Sequence, residues 1–231
     1  MQTSEGSSIS RGRALAQAAV AGAALLASPL RGRLGGSSAA TPTSSDLAAG
    51  CVLTPEQTEG PYFLSGDKLR RSIAEKRPGT PLTLALSVVD ATTCKPIAGA
   101  AVDIWHCDAG GTYSGVSGNA GRFLRGIQKT NAKGVATFDT IYPGWYSGRT
   151  VHIHVKVYVG GSEVHTGQLF FPDTMTDAVY RKAPYRSRGT RGVRNADDQI
   201  YQGGGASTVL QLRKSATGRY RGAVAMGVRR D

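Results

Sequence analysis

Long apolar runs are missing from this chain. The stretch ALAQAAVAGAALLASPL (14–30) is too short and too rich in alanine to read as a membrane span. Helical periodicity is nearly missing too. Only DTMTDAVYR (173–181) reads as a short helix, with Asp173 as its cap, so a helical fold is excluded. Cysteine is scarce: Cys51, Cys94 and Cys107 allow one disulfide and leave one thiol over. Acid is scarce as well. There are 16 Asp and Glu against 28 Lys and Arg, a formal net charge of +12. The excess is concentrated, with 12 basic and 3 acidic residues from Arg181 to Asp231. No recognition helix, zinc finger or RNP-like motif accompanies it, so nucleic-acid binding is not expected. A solvated basic surface that attracts acidic polymers or anionic substrates is. No internal repeat is visible.

What is there divides at about residue 50. Arg11 and Arg13 precede the apolar run of 14–30, and a Ser/Thr/Gly/Ala-rich stretch follows. Residues 1–50 therefore read as an export signal with a disordered segment, and no membrane is expected for the mature protein. Residues 51–231 form one domain. Within it LTLALSVVD (82–90), AAVDIWHCD (100–108), GVATFDT (134–140), VHIHVKVYV (151–159), GQLFFPD (167–173), STVLQLRKS (207–215) and GRYRGAVAMGV (218–228) read as short strands between Gly- and Pro-rich turns. The fold class is all-β, a sandwich of mainly antiparallel strands with long loops and little helix. Cys51 opens this domain and Cys94 sits in a turn, so these two are the expected disulfide. Cys107 falls in a strand pattern and is expected as a small buried apolar group.

VHIHVKVYV holds the most informative alternation. Val151, Ile153, Val155, Val157 and Val159 share one face, and His152, His154, Lys156 and Tyr158 the other. Histidines at i and i+2 of a strand point the same way, about 7 Å apart along the chain. They form a solvated polar face or converge on one ion. A carboxylate is the usual third ligand of a two-His iron site, but none is near. Glu163 reads as part of a turn, and Asp139 lies in the preceding strand. Tyrosines stand there instead: Tyr146 six residues before His152, and Tyr113 just past a strand end. A phenol titrates near 10 and becomes a good ligand only when a strongly Lewis-acidic ion displaces its proton. Two phenolates and two imidazoles favour a hard trivalent ion, Fe(III). Zinc on the two histidines is disfavoured because tyrosine is not among its usual ligands.

The segments LTPEQTEGPYF (53–63), VDIWHCDAGGTYSG (102–115), FLRGIQKTNAKGVATFDTIYPGWYSGRTVHIHVKV (123–157) and TGQLFF (166–171) together resemble the intradiol ring-cleavage dioxygenases. These are non-haem Fe(III) enzymes that open catechols between the two hydroxyl-bearing carbons. The resemblance spans about Cys51 to Tyr201. It implies Tyr113, Tyr146, His152 and His154 as metal ligands. Tyr146 is also implied as the phenolate that leaves the metal and accepts a proton. Arg149 would stabilise charge developing on the substrate, and Gln168 would hydrogen-bond the same region. Thr58, Gly60, Pro61 and Tyr62 would line the substrate cavity. The implied partners are a small aromatic diol and O2, and the product is a cis,cis-muconate-type diacid. The gap between the second Tyr and H-x-H is only SGRTV, shorter than in better-known members, which implies a compact, exported enzyme with a more open cavity. A homo-oligomer is left open. The rival is a transthyretin-like or carboxypeptidase-regulatory-like binding module. It shares the strand and P-G-x-Y turn pattern but has no need of H-x-H, Arg149 or Tyr113.

Overall fold

The computed structural model describes residues 52–230. Its strands are β1 (Pro81–Asp90), β2 (Ala101–Trp105), β3 (Arg125–Lys129), β4 (Val135–Ile141), β5 (His152–Val159), β6 (Ser162–Phe170), β7 (Gln211–Lys214) and β8 (Tyr220–Val228). They make two four-stranded sheets, ordered β4-β1-β8-β7 and β3-β2-β5-β6. Every pairing is antiparallel except that of β1 with β8. The expected β-sandwich is what forms. Leu82, Leu84, Leu86 and Val88 of β1 join Ile153, Val155 and Val157 of β5 in one core, none with exposed surface. Each such side chain contributes about 1.5–3 kcal/mol on burial, before chain entropy is set against it. Among the described residues no helix is long and apolar enough to cross a membrane.

Four local readings change. β3, in the sequence RGIQK, was not expected, because a glycine and two cations hide the strand signal; its Arg125 is almost fully buried. β6 begins at Ser162 rather than Gly167. Gly160 and Gly161 both adopt positive φ and turn Val159 back onto Ser162 in a two-residue hairpin. Glu163 is therefore in a strand, where it pairs with Lys156 at 2.8 Å. Helix α1 (Asp173–Tyr180) forms as read, but its cap is Pro172, with no side-chain bond. Asp173 is the first helical residue, and its carboxylate lies 2.6 Å from Arg191. The expected strand over 207–215 is confined to β7, after a 3-10 turn at Gly205–Thr208. Helix α2 (Gln199–Gln202) is a single turn.

Cys94 is disulfide-bonded and Cys107 is a buried free thiol. The expected partner, Cys51, and the expected export segment 1–50 lie outside the described residues.

Both faces of β5 are buried. His152, His154 and Lys156 are covered because the segment before β1 crosses the outer face of their sheet. Gln57 N donates to Thr166 O of β6 at 2.9 Å, and Arg70 N to Ile127 O of β3 at 2.9 Å. Between these anchors the strap lies over β5 and β2. It seals a polar layer holding Asp103, Asp67, Arg125 and Lys156, all buried. Burial, followed by the nearby Asp67, pushes the Asp103 carboxyl up to about 8. The folded protein thus keeps a proton that the unfolded chain releases near pH 4. Stability from this group is complete below that pH and is lost as pH rises toward 8. Urea titrations should show wild-type stability falling by up to about 1 kcal/mol per pH unit across this window. The slope should flatten in Asp103→Asn, and an identical slope in the variant would refute the assignment.

Candidate metal centre

On β5 the imidazoles of His152 and His154 turn toward each other, their Nε2 atoms 3.1 Å apart. Tyr146 Oη lies 2.9 Å from His152 Nε2, and Tyr113 Oη lies 3.1 Å from His154 Nε2. All four expected donors therefore converge. His152 Nδ1 donates to Thr150 O at 2.7 Å, which leaves the Nε2 lone pair facing the cluster. Burial, then the charge of Arg149, pushes the His152 imidazolium down to about 3. Burial and the neighbouring His152 hold His154 well below its usual range. Burial raises the Tyr146 phenol to about 12, and Tyr113 well above its ordinary value.

This donor set fits a hard, highly charged cation. His154 Nδ1 has no hydrogen-bond partner, and as its Nδ1–H tautomer the ring also turns a lone pair toward the cluster; burial keeps both rings from taking the second proton that would block an ion. Separations of 2.9–3.1 Å match adjacent ligands about 2.1 Å from one ion. Among the described residues no three His, Cys, Asp or Glu come together, so the remaining donors are the two phenols.

Each donor is set by its own loop. Tyr113 follows β2 on a turn in which Asp108 Oδ1 accepts from Gly110 N and Thr112 N at 2.8 and 3.0 Å. Tyr146 follows a loop bonded at several points. Tyr185 Oη donates to Tyr142 O at 2.7 Å and Tyr180 Oη to Pro143 O at 2.9 Å. Gly144 N donates to Asp108 O, and a Cβ on Gly144 would come within 2.5 Å of that oxygen, so only glycine fits. The tyrosines of the basic segment 180–194 thus support this loop from within.

The strap closes the site from above. Tyr62 stacks on Tyr113 at 4.3 Å and meets Tyr146 edge-on at 5.8 Å, so TEGPYF lies against its own chain's donors. Thr58 and Pro61 are exposed. The Thr58 hydroxyl accepts from Gly60 N at 3.1 Å, capping its own turn. Gly60 has φ of 71°, and a Cβ there would stand 3.2 Å from His154 Cε1. Gly60→Ala should lose about 1–2 kcal/mol for the left-handed backbone and displace the His154 ring. The thermal melt should fall, and an unchanged melt would show that the strap yields freely.

Arg149 and Gln168 meet. Arg149 donates from Nη2 to Gln168 Oε1 at 2.5 Å and from Nε to Asp198 Oδ2 at 2.8 Å. Gln168 Nε2 donates to Thr58 O at 2.9 Å. Gln168 thus ties β6, the strap and Arg149 together. Three further contributors have no sequence role assigned above. Asp198, almost fully buried, also accepts from Thr150 N at 2.8 Å and caps α2. Trp105 stacks on His154 at 5.0 Å with the rings 4° from parallel. Lys156 reaches Glu59 of the strap at 2.7 Å and Glu163 at 2.8 Å. Trp105 and Lys156 share a sheet face with the histidines, and strand alternation could have found them. Asp198 lies 49 residues from Arg149, and no local pattern marks it.

Residues 58–183 match the family model Dioxygenase_C, described as Dioxygenase. An intradiol ring-cleavage dioxygenase from Tetranychus urticae is 36% identical, with TM-score 0.74, the match covering 78% of this chain and 95% of that one. The dioxygenase domain of a carbohydrate-binding fusion protein from Streptomyces sp. SirexAA-E is 35% identical, with TM-score 0.61, covering 77% of this chain and 98% of that one. Chlorocatechol 1,2-dioxygenase of Pseudomonas putida is 28% identical over 135 residues, 49% of this chain and 52% of the relative. The match thus spans about half the length of that curated relative. The family match, covering most of the strap-to-β6 region that builds the centre, shows that this chain belongs to the intradiol ring-cleavage dioxygenases.

Proposed function

We propose that the protein is an exported Fe(III)-dependent enzyme. It cleaves catechol-type diols between the hydroxyl-bearing carbons, adding both atoms of O2 to give a cis,cis-muconate-type diacid. The observation that carries this reading is the convergence of two phenol oxygens and two imidazole nitrogens at 2.9–3.1 Å. Export is supported by the basic, Ala-rich start of the chain and by the disulfide-bonded Cys94, which suits an oxidising compartment.

Tyr113, Tyr146, His152 and His154 would hold the iron. When bound, ferric iron would supply the Lewis acidity that favours the doubly deprotonated diol and makes its ring electron-rich enough to react with O2. The chain's own residues do the rest. His152 and His154 stay neutral, which leaves each ring one nitrogen lone pair for the ion. Tyr146 is the less buried of the two phenols, and as phenolate its Oη is placed to accept a proton from an incoming hydroxyl. Tyr62, half-exposed above both phenols, offers a flat ring against which an aromatic substrate can pack. Arg149 Nη1 makes no hydrogen bond among the described residues, so it can meet negative charge as it develops on the substrate.

Purified protein assayed for iron, visible absorption and catechol products tests the reading. Stoichiometric iron, a red-brown phenolate band and muconate-type products are expected. Iron-free, colourless protein that stays inactive after reconstitution would favour a binding module. Tyr146→Phe should fold normally, lose part of the visible band and slow turnover by about 10²–10⁴, the contribution of a positioned acid–base group. Full colour and full rate would assign the proton to another group.

A further inference from the structure

The edge strand β7 and its surroundings carry a cluster of cations without salt bridges. Arg213 and Lys214 lie on β7, Arg219 and Arg221 at the adjoining end of β8, and Lys182 and Arg186 in the connection after α1; all are exposed. None of them forms an ion pair among the described residues. Residues 180–190 and 211–222 contain no carboxylate at all. Neighbouring acids are already engaged: Asp173 and Asp177 with Arg191 and Arg194, and Asp139 with Arg71, the charge of Arg219 reaching Asp139 only as a lesser influence.

Like charges are also set against each other. Arg213 and Arg221 are directly opposite across the β7–β8 pair, an arrangement that destabilises a sheet. Lys214 points to the other side of β7, where it meets Lys182, and its hydrogen bond to Lys182, followed by its charge, lowers the Lys182 pKa. A single lysine is enough to keep an edge strand from pairing with another chain. Opposed pairs on both sides of one short strand exceed that need, and an anionic chain along the edge would relieve them.

Other features narrow the partner. Tyr180, Tyr185 and Tyr220 are buried, so the ridge offers no ring on which bases could stack. The large exposed apolar residues Val52, Leu53 and Leu69 lie outside these segments, which leaves no apolar wedge here for a lipid surface. What remains is an exposed, arginine-rich edge suited to carboxylates, which the guanidinium fork binds through two parallel hydrogen bonds. We propose that this ridge docks the protein onto an acidic polysaccharide of the uronate type, whose carboxylates supply the missing counter-charges.

Full-length protein binding to immobilised polygalacturonate tests this. Binding should weaken at least about tenfold between about 50 and about 200 mM salt, as exposed charge pairs are screened. R213E/K214E/R221E should lose about tenfold or more at low salt, and R213Q/K214Q/R221Q somewhat less. The control K95E/K129E/K133E changes the same total charge on exposed lysines outside both the ridge and the strap, and should keep most of the binding. All variants should turn over soluble catechol as the wild type does, because the ridge lies outside the metal centre. No binding at low salt, or equal loss in the control, would overturn the proposal. So would tighter capture by single-stranded DNA or anionic vesicles than by polygalacturonate.

Discussion

Replacing His154 by alanine is expected to strip the protein of iron and abolish turnover while the sandwich stays folded. His154 Nε2 is the central donor, 3.1 Å from both His152 Nε2 and Tyr113 Oη. Without it one imidazole and two phenols remain. The phenols hold their protons more tightly than free tyrosine does, because both are buried. A weaker ion field has less power to displace those protons, so the loss of one ligand also weakens the others. Changes at residues that merely orient a ligand lower metal affinity by about 10–100-fold, and removal of the ligand itself should exceed that. The core side of β5 is untouched, since Ile153, Val155 and Val157 carry it. Some stability will be lost where the ring packs between Trp105 and Gly60. Iron per chain, the visible band and a thermal melt measured together decide the matter. A folded variant with full iron would remove His154 from the ligand set.

How far this centre was legible depends on distance along the chain. β5 announces both its core and its ligands, because strict alternation assigns every side chain to a face. Tyr113 and Tyr146 are legible only as partners of that strand, since a lone tyrosine more often serves packing. The hairpin into β6 was missed in part because a Gly-Gly turn was read as the end of the strand pattern. β3 was missed because a buried arginine looks like surface in sequence. Arg125 belongs inside only because Ser114, from the loop after Tyr113, accepts two of its guanidinium N–H groups. The outward face of β5 was legible as polar but not as buried. Its cover is the strap, whose backbone bonds to β3 and β6 have no local sequence signal.

Arg149→Lys is expected to retain iron and colour yet turn over about 10²–10³ times more slowly. Arg149 is not among the four donors, and the elements around it do not depend on its fork. Asp198 would keep Thr150 N, Ile200 N and Tyr201 N as donors, so neither the start of β5 nor α2 should shift. Gln168 would still hold Thr58 O. What the lysine cannot do is bind Asp198 and Gln168 from two edges of one plane and still leave a third donor group free of hydrogen bonds. Its ammonium would settle on the buried Asp198 carboxylate, drawn away from the substrate. Charge developing on the ring would then meet a group that must reorient during the reaction rather than one already in place. The Asp198 pair also bears on what the arginine is for. A surface ion pair would make substitution nearly silent, but this carboxylate is almost fully buried and bonded to backbone on both sides. Asp198→Asn offers a parallel measurement: its one oxygen can serve either Arg149 and Thr150 N or Ile200 N and Tyr201 N, and its NH2 faces the donors left over, so the thermal melt should fall along with kcat. Unchanged turnover in Arg149→Lys would end the catalytic assignment, and loss of iron would make Arg149 a support for the centre instead.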